Sequence, residues 1–219
     1  CGISEEVIVK ETGGRYAWVA LNVFNTPGYT VAKLGEAFDP HLIKRPVENE
    51  SERGLYDNGN HCGRWIRAKF KVGEETYTST FVVADSCGDG NEWCRDNPGH
   101  VDLSVYEVAH LAVPDRANCY SLEEARNDQG WDCYKLPWPN ADVEWEFIES
   151  PNPPDNILFH WFINANPQWH AITVSGLKNG ISGLQYKKDG AWSDIKMDSD
   201  AGLRFALPWG SETYELRVK

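Results

Sequence analysis

Val82-Val83-Ala84-Asp85-Ser86-Cys87 and Gly99-His100-Val101-Asp102-Leu103-Ser104 set the architecture of this chain. Each is a short apolar run of strand-forming residues that delivers a carboxylate near its end. Residues 16–24, 65–72, 76–84 and 143–148 have the same β-branched and aromatic character. In the last third, residues 157–163, 170–174, 183–187, 203–207 and 214–218 repeat it at close spacing. Lys178-Asn179-Gly180, Lys188-Asp189-Gly190 and Pro208-Trp209-Gly210 separate these runs as turns. The pattern predicts an all-β protein whose last third is a sandwich. Helix signals are few. Ser104 and Glu107 form a capping-box pattern opening residues 104–111, and Ser121 with Glu124 opens residues 121–127.

Ser150-Pro151-Asn152-Pro153-Pro154-Asp155 is the natural boundary, because clustered prolines stiffen a connector. We expect one domain over residues 1–149 and a second, the sandwich, over 150–219. Residues 28–60 carry few strand signals and read as a long loop. Asn49-Glu50-Ser51 within it has the form of a glycosylation acceptor.

The formal net charge is -12. That argues against nucleic acid, whose binding rests on basic side chains neutralising phosphates. It also disfavours acidic glycans and anionic lipid, and suits a neutral polymer. No apolar run is long enough to span a bilayer. Tryptophan is abundant, with 10 residues against 1 Met. Flat indole rings suit the apolar faces of pyranoses as well as protein cores. All six cysteines lie in the first 133 residues: Cys1, Cys62, Cys87, Cys94, Cys119 and Cys133. Their spacing fits no zinc motif, so three disulfides in an oxidising, extracellular setting are expected rather than a metal. We expect Cys1–Cys62, Cys87–Cys94 and Cys119–Cys133, one of many pairings that six cysteines allow. A lipid-modified Cys1 is the rival and would leave one cysteine odd.

Three signals occur in an order that resembles the expansin family. Val19-Ala20-Leu21-Asn22 is similar to that family's alanine-bearing strand. Gly54-Leu55-Tyr56-Asp57-Asn58-Gly59 followed by Cys62-Gly63 is similar to its glycine turn and Cys-Gly strand. The runs ending in Asp85 and Asp102 resemble its two carboxylate strands. Downstream, Gln168-Trp169-His170-Ala171-Ile172-Thr173-Val174 resembles the Trp-bearing strand of the family's cellulose-binding module, and Lys188-Asp189-Gly190-Ala191-Trp192 its next turn. The resemblance runs from about residue 16 to the end. It implies an all-β fold: a six-stranded double-psi β-barrel followed by an immunoglobulin-like β-sandwich. The chain departs from the family pattern in places. The strand expected to carry a groove threonine is not visible ahead of Cys1. Cys87 stands where a groove aromatic is expected. Gln168 takes the place of a second adjacent aromatic, and none is found near residues 198–202.

By the resemblance, Asp102 corresponds to the proton donor of glycosidases that share the barrel. Partial burial beside Val101 and Leu103 would favour such a role. Asp85 would orient a sugar hydroxyl or hold the proton of Asp102. Strict alternation puts Trp169 with the small residues Ala171, Thr173 and Ser175, which points to an exposed anchor for polysaccharide. Trp161 is expected to be buried. Trp192 reads as packing or binding, Trp209 as flanking a sugar surface, and Trp93 as stacking at the groove mouth or plugging it. The resemblance implies a secreted monomer that loosens cellulose or another β-glucan without hydrolysis, needing no cofactor. The rivals are an endoglucanase or lytic transglycosylase with Asp102 as general acid, and a barrel-type protease inhibitor.

Overall fold

The computed structural model describes residues 1–25, 47, 49–87, 92–112, 142–153, 155–162, 165–195, 205–208 and 213–219. The chain is mostly β-strand with few helices, as the sequence predicts. Helix α1 (Glu5–Glu11) comes first, an element the strand-centred reading misses. Its signal is local. Ser4 caps it by accepting from the Val7 amide, and Glu5 and Glu6 sit in the first turn, where a helix favours negative charge.

Five strands follow in one sheet: β1 (Trp18–Asn22), β2 (Trp65–Val72), β3 (Glu75–Cys87), β4 (Val101–Leu103) and β5 (Glu144–Ile148). Their order is β4-β1-β3-β2-β5. Strands β1 and β3 run parallel, and the other pairs are antiparallel. Strand β1 and residues 81–84 of β3 are buried on both faces, while β2 alternates between buried and charged residues, so Val19, Leu21, Ile66, Phe81, Val82 and Val83 are all buried together with Trp65. Two short helices belong here, α2 (Glu92–Asp96) and α3 (Val105–Ala112). The expected capping box at α3 does not form. Ser104 Oγ instead donates to the Tyr16 carbonyl at 2.7 Å, and the buried Glu107 turns inward to pair with Arg15. A buried carboxylate needs a charged partner more than a helix end needs a second cap.

The last third forms two three-stranded sheets. One is ordered β10-β7-β6, from β6 (Leu158–Trp161), β7 (Ala171–Ser175) and β10 (Phe205–Ala206). The other is ordered β11-β8-β9, from β8 (Leu184–Lys188), β9 (Ala191–Ile195) and β11 (Leu216–Val218). Ile172, Val174 and Phe205 of the first sheet share a separate core with Leu184 and Ile195 of the second, which makes the unit a sandwich.

A seam joins the sandwich to the N-terminal sheet. The Gly176 amide donates to Glu11 Oε1 at 3.1 Å, and Lys178 pairs with Glu149 at 3.1 Å. Gly2 lies against the Phe162 ring and the Thr173 methyl so closely that a Cβ would collide with the ring. The disulfides Cys1–Cys62 and Cys87–Cys94 are formed as expected. Cys119, Cys133, the helix expected over 121–127 and most of the 28–60 loop lie outside the described residues.

Candidate functional site

Strand β1 brings the two quoted stretches together. Ala20 is the register partner of Asp85 on β3 and of Asp102 on β4. Residues directly opposite in a sheet project from the same face, so both carboxylates flank Ala20 on one side. Two strand spacings put their Cα atoms roughly 9.5 Å apart. Ala20 itself is buried, and its methyl forms a low floor between the acids. A register shift between Val19 and Ala20 turns β3 so that Asp85 falls into line.

Both aspartates are exposed. For Asp102 this corrects the expectation of partial burial: β4 is an edge strand, and its Val101 and Leu103 neighbours face the opposite way. Asp102 lies against the Cys87–Cys94 disulfide, one carboxylate oxygen and both sulfurs falling within 4.8 Å of one another. Three such groups would suit a metal, but sulfurs joined in a disulfide are not thiolate ligands. Trp18 packs against the same disulfide and Ala20. The disulfide also pins α2, and through it Trp93, which is 57% exposed. Asn97 Nδ2 donates to the Trp93 carbonyl at 2.7 Å. Burial lowers the pKa of His100, while the charge of Asp102 pulls the other way.

On the other flank, Asp85 Oδ1 accepts the Ser86 amide at 2.8 Å. Beneath it lies Tyr56, fully buried, with its hydroxyl 3.2 Å from Cys62 Sγ. Burial first and the charge of Asp85 second hold the Tyr56 phenol well above its ordinary value, against a hydrogen bond with the Ser86 side chain. Tyr56 thus stays neutral, a role no sequence signal marks beyond its place in the glycine turn.

Two tryptophans of the sandwich, Trp169 and Trp161, do not sit as expected. Trp169 is half-buried, edge-on to the Phe162 ring at 5.8 Å. The face it was expected to share is wholly buried at Ala171, Thr173 and Ser175, because the seam covers it. Trp161, expected in the core, is 62% exposed. Trp192 is half-buried under the Arg217 guanidinium, 4.4 Å from its ring centroid, with Lys187 Nζ at 5.6 Å. Trp209 lies outside the described residues.

No protein-family model matches the chain, and no curated protein matches it. Among solved structures it is similar to the ligand-free expansin of Clavibacter michiganensis, at 16% identity and a TM-score of 0.47. It is also similar to a point variant of that expansin in complex with cellohexaose, at 15% identity and a TM-score of 0.48. Both alignments cover 93% of this chain and 69% of the other.

Proposed function

We propose that this chain is a secreted, expansin-like protein of two domains, residues 1–149 and 150–219, which binds cellulose or a related neutral β-glucan and loosens it without cutting it. The observation that carries this reading is the acidic pair on either side of Ala20, with exposed Trp93 next in the chain to Cys94, whose sulfur lies against Asp102. A shallow floor edged by carboxylates and an indole offers hydroxyl acceptors and a stacking surface to one glucan chain. Asp102 and Asp85 would take hydrogen bonds from sugar hydroxyls that otherwise join chain to chain.

Hydrolysis is the second reading, because two carboxylates on one side of a sheet are the groups that a water-admitting glycosidase needs as acid and base. Exposure argues against it. A proton donor works best in apolar enclosure, and Asp102 stands in solvent beside a disulfide. Release of reducing ends from amorphous cellulose separates the two readings, measured beside mechanical weakening of cellulose paper. The proposal expects weakening without sugar release, lost in Asp102→Asn. Sugar release that vanishes in Asp102→Asn would make the protein a hydrolase.

A further inference from the structure

Among the described residues only four large apolar side chains are exposed: Trp93, Ile157, Phe159 and Trp161. The last three alternate along one stretch of chain, Phe159 and Trp161 within β6 and Ile157 just before it, and are 43%, 43% and 62% exposed in chain order. Alternation sends Phe159 and Trp161 to one side of β6, about 7 Å apart along the strand, with Ile157 at its entry. Phe159 pairs with Val174 and Trp161 with Ile172, so the row continues the core face of the sandwich. It stays in solvent because β6 is the outer strand of its sheet.

Trp161 is held in place. The Tyr214 hydroxyl donates to the Pro208 carbonyl at 2.7 Å, so its oxygen accepts the Nδ1 proton of His170, also at 2.7 Å. The His170 ring then meets the Trp161 ring edge to face at 5.8 Å. An exposed indole fixed through a buttressed histidine has little freedom left to lose on stacking.

Charge decides what fits. Residues 1–149 carry 14 Lys and Arg against 26 Asp and Glu, whereas residues 150–219 carry seven of each. Between residues 150 and 177 the one charged side chain is Asp155. A linear, uncharged row of aromatic and aliphatic groups complements a linear, uncharged polymer with apolar faces. We infer that Ile157, Phe159 and Trp161 form the polysaccharide-anchoring surface of the sandwich, taking a neutral pyranose chain, in place of the seam-covered face beside Trp169; this rests on the β-glucan reading above.

The test is adsorption of the full chain to amorphous cellulose, with an acidic polygalacturonan as the charged control. Trp161→Ala should weaken adsorption about five- to tenfold, and Phe159→Ala about threefold. Trp169→Ala should change it less than about twofold. Trp161→Tyr keeps a flat ring and should retain most of the affinity, so a folding defect in the alanine variant cannot pass for a binding defect. Unchanged adsorption in both row variants overturns the inference while leaving the β-glucan reading intact. A wild-type dimer that Trp161→Ala dissociates in sedimentation overturns it too, making the row a self-association edge. If wild type adsorbs to no neutral glycan, the functional reading fails and this inference with it.

Discussion

Asp102 rests on a disulfide, faces solvent and shares its side of the sheet with Asp85, so its carboxylate can be altered without opening a core. Asp102→Asn should therefore fold normally and still adsorb to cellulose while losing paper weakening. A parallel loss of adsorption would mean that Asp102 grips the chain rather than disrupting its hydrogen bonds. Each aspartate was legible in the sequence, because each ends a short apolar strand. Their alignment across Ala20 was not, because the parallel pairing of β1 with β3 joins segments more than 60 residues apart. The tryptophans teach a related lesson. Alternation correctly put Ala171, Thr173 and Ser175 on one face, and small polar residues there looked solvated. Small residues also let other parts of the chain come close: Gly2 lies against Thr173, Gly63 near the Val174 carbonyl, and the Glu11 carboxylate reaches the Gly176 amide.

The turn after β1 and the two disulfides show how local chemistry holds the site. Asn22 is fully buried; its Nδ2 donates to the Phe24 carbonyl at 2.6 Å, and its own carbonyl accepts from the Tyr56 amide at 3.0 Å. Gly54 fits into this cradle, and a Cβ there would come within 2.7 Å of the Val23 carbonyl carbon and nearer still to the Asn22 backbone. Backbone cannot swing aside, so Gly54→Ala should cost about 2 kcal/mol of stability, read from urea unfolding. A midpoint within error of wild type would show that the turn gives way. The disulfides differ by the chain they close, 61 residues for Cys1–Cys62 and seven for Cys87–Cys94. Loop-closure entropy predicts losses of about 4 and about 2 kcal/mol for the paired serine variants. The smaller loss should carry the larger functional effect, because Cys87 and Cys94 hold Trp93 and border Asp102. Loss of paper weakening in the Cys1–Cys62 pair alone would contradict that assignment. The strand runs, the short-range Cys87–Cys94 disulfide and the glycine turn were readable from sequence because each is a local pattern, whereas Cys1–Cys62, expected as one of many pairings, joins residues 61 apart. Helix α1 and β9 were overlooked because short elements carry little periodicity.

Three histidines and one carboxylate of the seam give the whole molecule a pH dependence of mixed sign. Burial lowers the pKa of His61, aided by the charge of Arg64 and opposed by the Leu55 carbonyl and Asp57. It lowers that of His100 against the pull of Asp102, and that of His160 with help from Lys10. A histidine held below its ordinary 6.5 contributes stability that is present above 6.5 and lost as pH falls through the folded value. The urea midpoint should therefore drop between pH 7 and pH 5. Glu11 works in the opposite direction. Burial raises its pKa above the ordinary 4.5, outweighing its hydrogen bonds from Ser175 and Gly176 and the charge of Lys10. Its contribution is present below 4.5 and is lost as pH rises through the raised value, so at neutral pH the ionised carboxylate is a cost to the seam. His160 shares that seam, its Nε2 lying 2.7 Å from Ser175 Oγ. Glu11→Gln keeps an acceptor for the Gly176 amide and removes the charge. It should raise the urea midpoint at pH 7, leave it nearly unchanged at pH 4, and keep the drop due to the histidines. A variant less stable than wild type at pH 7 would mean that the charged hydrogen bonds to Ser175 and Gly176 outweigh burial, and that the seam is held by Glu11 ionised.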